Sequence, residues 1–202
     1  MSDARRSPPL FTSRLERAMR WAAVCHLGQE RHGSDTPYVE HLMAVALILD
    51  RLGYDEEVVV AGLLHDAVED TDVTIEDVEA RFGARVAAIV AGCSERKTDG
   101  EGKKRPWIDR KSDHIEALAQ ATTETRAVLL ADKLHNLLTM QVDLGDGRPV
   151  WSLFHADRDQ VLWYYRTILD RFGAGDDRLE SLAAECRRVL AEIEALGAPV
   201  AG

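Results

Sequence analysis

Residues 58–71 read VVVAGLLHDAVEDT, an apolar run that changes abruptly into a histidine and three carboxylates. At the helical period, Glu69 lies one turn beyond His65, and Asp70 lies one turn beyond Asp66. Four polar side chains that can bind metal therefore lie on adjoining edges of one predicted helix. A buried carboxylate cluster is costly unless a cation or a hydrogen-bond network neutralises it, and this cost favours a metal site here.

Two other segments place polar residues at positions that should face a core. His41 lies on the apolar segment PYVEHLMAVALIL (37–49), and Asp132 follows the apolar run Leu129–Ala131, with Asn136 one turn later. Two imidazoles and two carboxylates from three helices could hold one divalent ion and leave positions open for water or a substrate oxygen. The structural alternative is that each is an ordinary capped or hydrogen-bonded polar residue.

The helical period dominates the rest of the chain. Capping signals open three predicted helices: Ser13 with Glu16, Thr74 with Asp77, and Asp177 with Glu180. No segment alternates at period two for long enough to predict a strand, and no repeat or heptad pattern occurs. We therefore predict one all-α bundle, a single domain over residues 13–197, with flexible termini at 1–12 and 198–202.

Composition narrows the class of protein. The chain has 202 residues, 46% of them hydrophobic and 30% charged, and a formal net charge of −10. A surface with this charge repels nucleic acid and anionic lipid unless a basic patch is locally concentrated. No apolar run reaches the roughly 20 residues of a membrane span, and the first ten residues lack a signal-peptide core. The three cysteines form no CxxC pair. We predict a cytoplasmic protein with neither nucleic acid nor membrane as partner.

The order His41, His65-Asp66, Asp132 resembles the HD-domain phosphohydrolases, whose metal ligands are a His, a His-Asp pair and a distal Asp. More narrowly, the chain is similar to the hydrolase half of the Rel/SpoT stringent-response enzymes and to the stand-alone small alarmone hydrolases. The stretches that carry this similarity are HLGQERHGSDTPYVEH (26–41), AGLLHDAVEDT (61–71) and LLADKLHNL (129–137). The expected fold is accordingly an HD-type helical bundle, and a chain of this length is expected to hold the hydrolase without a synthetase domain.

The resemblance also implies a reaction. His41, His65, Asp66 and Asp132 would bind one Mn²⁺, while Glu69 and Asp70 match the acidic pair that positions and deprotonates the attacking water. The substrate would be a small-molecule nucleotide alarmone, (p)ppGpp or (p)ppApp, which loses its 3′-pyrophosphate. The logic is that of metal-assisted hydrolysis, in which the ion polarises a phosphoryl oxygen and a carboxylate takes the proton.

Further residues are expected at the nucleotide. Arg31 matches a residue beside the nucleobase, and Asn136 matches one that contacts the nucleotide next to the metal. Tyr164 and Tyr165 belong to the main concentration of aromatic residues, and we predict that one of them lines the pocket. The dense basic stretch within residues 96–111 could attract an anionic substrate, or it could be a solvated loop. A second metal site built from His26, His114 and His135 is disfavoured because no histidine pair stands at the expected places.

Three positions depart from the family's usual residues. Leu42 follows His41 where the family often has Pro, His32 follows Arg31 instead of Lys, and Leu138 stands where Arg is common. All three lie near the nucleotide in the family pattern, so they leave the choice between guanine and adenine open. The sequence also leaves open which metal is loaded and whether the protein forms a homo-oligomer.

Two other functions remain as alternatives. One is an HD-type nucleotidase or phosphodiesterase that acts on another phosphate ester; the Glu69-Asp70 pair disfavours it, and a panel of substrates decides. The other is a non-catalytic regulator that binds alarmones, for which a water-activating carboxylate would serve no purpose. Tight nucleotide binding without product would favour the regulator.

Overall fold

Every regular element in the described part of the chain is helical. The computed structural model describes residues 10–95, 98 and 101–196. The helices are α1 (Ser13–Cys25), α2 (Val39–Arg51), α3 (Glu56–Leu64), α4 (Ala67–Asp70), α5 (Ile75–Phe82), α6 (Ala84–Cys93), α7 (Trp107–Leu118), α8 (Thr123–Gly145), α9 (Arg158–Phe172) and α10 (Asp177–Leu196), with a 3₁₀ turn at Val150–Leu153. The predicted all-α bundle is confirmed. Apart from residues 10–12, the predicted flexible termini lie outside the described residues.

Side-chain caps start several of these helices. Asp55 accepts hydrogen bonds from the backbone N–H groups of Glu57 and Val58 at the start of α3. Thr74 and Asp77 form a reciprocal capping box at α5, as the sequence predicted. Each cap satisfies N–H groups that have no partner inside the helix, which stabilises the helix by about 1 kcal/mol.

Two predicted caps are displaced by one residue. The hydroxyl of Thr12, not Ser13, accepts from the Leu15 N–H at 3.1 Å. Asp176, not Asp177, accepts from the Leu179 N–H at 2.9 Å. Adjacent residues of the same chemical type can each cap a helix, so spacing alone does not choose between them.

The expected continuous helix through residues 58–71 is wrong. Helix α3 ends at Leu64 and α4 starts at Ala67, so His65 and Asp66 lie in a turn between them. The ring of His65 folds back, and its Nδ1 lies 2.8 Å from the carbonyl oxygen of Gly62. Asp70 still lies one turn beyond Asp66, since its backbone N–H donates to the Asp66 carbonyl oxygen at 2.9 Å. His65, in contrast, no longer shares a helix with Glu69.

Helix α8 is the centre of the bundle. It packs against α10, α2, α6 and α3, and its buried residues run from Thr125 to Met140. Asp132 lies near the middle of this buried stretch and is only 8% exposed. A carboxylate at this depth requires partners, and the helices packed against α8 supply them.

The loop between α1 and α2 reaches towards the same region. It is closed by hydrogen bonds from Arg31 N to the Thr36 oxygen at 2.8 Å and from Tyr38 N to the Gln29 oxygen at 2.9 Å. Gly33 has φ +81°, and Leu153 occupies the space where a Cβ would stand. The loop therefore packs directly on the 3₁₀ turn at Val150–Leu153.

Within the described residues, none of the helices combines the length and the apolar character needed to cross a bilayer. The thiols of Cys25, Cys93 and Cys186 are all free, and the last two are buried.

Candidate metal centre and adjoining cavities

The structure brings four of the predicted site residues together. His41 comes from α2, His65 and Asp66 from the turn after α3, and Asp132 from the middle of α8. The Nε2 atom of His41 lies 3.2 Å from Asp132 Oδ1 and 3.7 Å from Asp66 Oδ2. The Nε2 atom of His65 lies 2.9 Å from Asp66 Oδ2 and 3.9 Å from Asp132 Oδ1. Two imidazole nitrogens and two carboxylate oxygens thus face one another.

The two imidazoles identify what this cluster can hold. His41 is 1% exposed and His65 is 4% exposed, and the Nε2 atom of each is buried without a hydrogen-bond partner among the described residues. Leaving two such nitrogens unsatisfied is costly. A cation that takes their lone pairs removes the cost, and mixed nitrogen and carboxylate ligands suit divalent transition metals. The residues therefore fit a divalent metal ion.

The pKa shifts within the cluster also favour a bound cation. Burial alone would lower the pKa of His65, but the carboxylates of Asp66 and Asp132 outweigh it and raise this pKa well above its usual value. Burial would raise the pKa of Asp132, but the Lys133 ammonium and the two imidazoles hold it well below its usual range. Both shifts show that the facing carboxylates favour positive charge between the two imidazoles, and a divalent cation would supply it.

Polar neighbours hold both carboxylates. The Tyr38 hydroxyl donates to Asp66 Oδ2 at 2.6 Å. On the other side, Lys133 Nζ donates to Asp132 Oδ2 at 2.6 Å and Asn136 Nδ2 donates to Asp132 Oδ1 at 2.5 Å. These contacts restrict the rotation of the carboxylates and so help to orient them towards the cluster.

A cavity of about 740 Å³ is lined by Tyr38, Lys133 and Asn136, the residues that donate hydrogen bonds to the cluster carboxylates. Arg31 and Asn136 both line it, and Arg31 Nη2 donates to Asn136 Oδ1 at 2.7 Å. Both of the predicted tyrosines line it as well, where the sequence predicted one. The other lining residues include Tyr38, Lys111, Lys133, His135, Trp107 and Phe154. The cavity therefore lies next to the residues that hold the cluster, and its wall contains both cationic and apolar side chains.

Tyr164 contacts the cationic side chains of this cavity. Its ring centre lies 4.9 Å from Lys111 Nζ and 5.7 Å from Lys133 Nζ. Its hydroxyl lies 2.9 Å from His114 Nδ1. Both ammonium groups thus lie within cation–π distance of the same ring.

The predicted acidic pair lies in the wall of a second cavity. Glu69 and Asp70, both on α4, line a space of about 800 Å³. Gln29 Nε2 donates to Asp70 Oδ2 at 3.1 Å, and the backbone N–H of Glu95 donates to Glu69 Oε2 at 2.9 Å. The negative charge of Asp70 also contributes, after burial and Asp66, to the raised pKa of Tyr38. The pair is therefore electrostatically close to the cluster but is reached from a different space.

The basic residues predicted within 96–111 do not share one location. Arg96 and Lys97 lie outside the described residues. Lys103 and Lys104 are exposed, whereas Lys111 lines the first cavity and pairs with Glu95. In the described part of this stretch, the cavity wall thus receives one lysine from α7 and none from the loop before it.

Sequence reasoning missed several residues at the cluster. Tyr38, Lys133 and Gln29 were within the quoted segments but received no role. Lys133 carried a usable signal, since a charge between Leu129 and Leu134 interrupts an apolar run. Gln29 carried none, because its contact with Asp70 spans 41 positions of the chain.

Comparisons with known proteins identify the family of this chain. A family model described as HD domain matches residues 18–151. The Drosophila melanogaster protein named guanosine-3′,5′-bis(diphosphate) 3′-pyrophosphohydrolase MESH1 is 34% identical over 172 residues, which are 84% of this chain and 90% of MESH1. The Escherichia coli bifunctional (p)ppGpp synthase/hydrolase SpoT is 40% identical over 139 residues, 67% of this chain and 19% of SpoT.

A solved structure is similar to this chain in both fold and sequence. It belongs to a metazoan orthologue of SpoT that is described as hydrolysing ppGpp, and it matches with a TM-score of 0.72 and 32% identity, covering 90% of this chain and 97% of that one. Fold and sequence similarity thus agree over most of the chain. The chain belongs to the HD domain family, and within it resembles the MESH1 proteins and the hydrolase part of SpoT.

Proposed function

We propose that this protein removes the 3′-pyrophosphate from a nucleotide alarmone, (p)ppGpp or (p)ppApp, and releases pyrophosphate. The observation that carries the proposal is the cluster of His41, His65, Asp66 and Asp132 beside a cavity of about 740 Å³. The similarity to proteins named as ppGpp 3′-pyrophosphohydrolases supports the choice of substrate.

The proposed metal is one Mn²⁺, held by the four residues of the cluster. Carboxylates make the site hard enough for Mn²⁺, and the two imidazoles add ligands that this ion also accepts. A bound divalent ion supplies Lewis acidity: it polarises a phosphoryl oxygen and lowers the pKa of water.

The first cavity is the proposed nucleotide site. Lys111 and Lys133 concentrate positive charge where a pyrophosphate would lie, and Arg31 and Asn136 lie beside Asp132 with donor groups. Tyr164 and Tyr165 form an aromatic wall. A substrate with two pyrophosphates is attracted by the cations and gains contact area along the apolar part of the cavity.

Glu69 and Asp70 are proposed to position the attacking water and to take its proton. The water oxygen forms a bond to the phosphorus that carries O3′, and the bond between this phosphorus and O3′ breaks. The O3′ atom leaves with the electron pair and takes up a proton to become the 3′-hydroxyl. The Gln29 amide donates to Asp70 Oδ2, and this contact would help to orient the carboxyl group towards the water.

The direct test is hydrolysis by the purified protein. With Mn²⁺ present, we expect pyrophosphate release from ppGpp or ppApp, and parallel assays of the two decide the base preference. Absence of turnover of both, with metal shown to be bound, would end the proposal. Release of phosphate only from other esters in a substrate panel would favour a general HD-type nucleotidase, and tight binding without product would favour a regulator.

Removal of the metal should lower thermal stability. A ligand that binds only the folded state at 100 times its Kd stabilises that state by about 2.7 kcal/mol. In a chain of this size that corresponds to a shift of Tm of roughly 5–10 °C. We expect EDTA to lower Tm by this amount in differential scanning fluorimetry, and Mn²⁺ to restore it. An unchanged Tm would contradict metal binding by the buried cluster.

Substitution of Gly33 should weaken nucleotide binding. Its φ of +81° disfavours any L side chain, and a Cβ would meet Leu153 Cδ1 at 2.5 Å. Gly33→Ala should therefore displace the wall of the first cavity and raise KM several-fold. Gly28→Ala is the matched control, because Gly28 has φ +79° but nothing within 4 Å of its Cβ position. Both variants should lose about 1–2 kcal/mol of stability, but only Gly33→Ala should change KM. Equal KM values would show that the contact with Leu153 does not shape the cavity.

The cytoplasmic location stays a prediction. It rests on the free thiols, which suit a reducing compartment.

A further inference from the structure

A chain of polar contacts runs from His41 away from the metal cluster. The Nδ1 atom of His41 lies 2.7 Å from the Nδ1 atom of His135 on α8, and the ring centres are 4.9 Å apart. The Nε2 atom of His135 lies 3.2 Å from Oε1 of Glu40 on α2. These contacts thus form a sequence of imidazole, imidazole and carboxylate that starts at a cluster residue.

The direction of these hydrogen bonds is set by the carboxylate. An ionised Glu40 can only accept, so the Nε2 atom of His135 carries the hydrogen of that ring. The Nδ1 atom of a neutral His135 is then an acceptor, and it requires a hydrogen on Nδ1 of His41. This leaves the Nε2 atom of His41 with a free lone pair. The reverse direction would place two acceptors against each other between His135 and Glu40.

We propose that His135 and Glu40 are positioning residues that hold His41 in the tautomer and orientation needed to bind the metal through Nε2. The inference rests on the proposed metal-dependent function and assigns a role to two residues that are not themselves ligands. Both nitrogens of His135 already have contacts, to His41 and to Glu40, which leaves neither available to the ion.

The second imidazole of the cluster supports this reading. The Nδ1 atom of His65 lies 2.8 Å from the carbonyl oxygen of Gly62, and a carbonyl can only accept. His65 is therefore held with its hydrogen on Nδ1 and its lone pair on Nε2. Both imidazoles thus present the same nitrogen to the cluster. His65 is held by the backbone carbonyl of Gly62. His41 is held by His135, whose Nδ1 atom is an acceptor when its Nε2 hydrogen is donated to Glu40.

The test compares Mn²⁺ affinity among variants at His135, measured by electron paramagnetic resonance of free Mn²⁺. His135→Leu removes the acceptor at nearly constant volume, and loss of such an outer partner typically weakens metal binding by about 10- to 100-fold. His135→Asn can place a carbonyl oxygen where Nδ1 stands, and it should restore most of the affinity. His114→Leu, which removes another buried imidazole, is the control and should leave Mn²⁺ affinity unchanged.

A second measurement does not depend on how the variants fold. In the wild-type protein loaded with diamagnetic Zn²⁺, long-range ¹H–¹⁵N spectra of the imidazoles should show hydrogen on Nδ1 of His41 and on Nε2 of His135. Wild-type affinity in His135→Leu, or a His41 ring without hydrogen on Nδ1, would overturn the inference and leave the hydrolase proposal intact. A wild-type protein that binds no divalent metal would instead overturn the proposed function itself.

Discussion

Asp132→Ala is expected to abolish metal retention and turnover together. Its Oδ1 atom is 3.2 Å from His41 Nε2, so the variant loses a carboxylate ligand from the centre of the cluster. Without the ion, several kcal/mol of transition-state stabilisation are lost, which corresponds to a fall in kcat/KM of about three orders of magnitude or more. Metal analysis of the purified protein and pyrophosphate release measure the two effects.

The variant needs a control for folding, because it also leaves the ammonium of Lys133 buried without its ion-pair partner. Removing one member of such a pair costs about 3–5 kcal/mol. The double variant Asp132→Ala/Lys133→Met removes both charges and should recover stability without recovering metal. A folded Asp132→Ala protein that keeps its metal would show that Asp132 is not a ligand.

Glu69→Ala is expected to keep the metal and lose the rate. Glu69 is assigned to the attacking water and not to the ion, and loss of a general base lowers kcat by about 10²- to 10⁴-fold. Glu69→Gln is the sharper variant, because its carbonyl oxygen can still accept from the Glu95 N–H while its basicity is gone. Metal content and kcat are measured on the same preparations.

Asp72→Asn provides the matched control, since Asp72 lines the same cavity as Glu69. It should leave kcat unchanged, which separates the role of Glu69 from the general acidity of that wall. Equal loss of metal in the Glu69 and Asp132 variants would show that the division of roles between them is wrong.

Local patterns predicted the start of α5 correctly and the starts of α1 and α10 to within one residue. The capping box of Thr74 and Asp77 and the caps at Asp55 and Asp157 depend on hydrogen bonds within one turn, so the sequence contains all the information they need. The helix through residues 58–71 failed for a different reason. At the break, Asp66 contacts Tyr38 and His41, which belong to the start of another helix, and such contacts leave no local pattern in the sequence.

The grouping of the site residues likewise depends on contacts that local patterns do not contain. Spacing placed Glu69 and Asp70 beside His65 and Asp66 on one helix. In the structure His65 and Asp66 lie in the turn before α4, and Glu69 and Asp70 line the second cavity. Gln29 acquires its contact with Asp70 only when the loop between α1 and α2 folds over α4.

The sequence by itself determined the all-α class, three helix starts to within one residue and the residue types of a metal site. Periodicity and capping act over a few residues, and a carboxylate in an apolar run is costly wherever it is buried. Only the tertiary structure decided which atoms meet. The approach of His135 to His41 joins residues 94 positions apart, and the contact of Arg31 with Asn136 joins residues 105 apart. Such contacts depend on how α2 and the loop before it pack against α8, and that packing is set by the shape of the whole core.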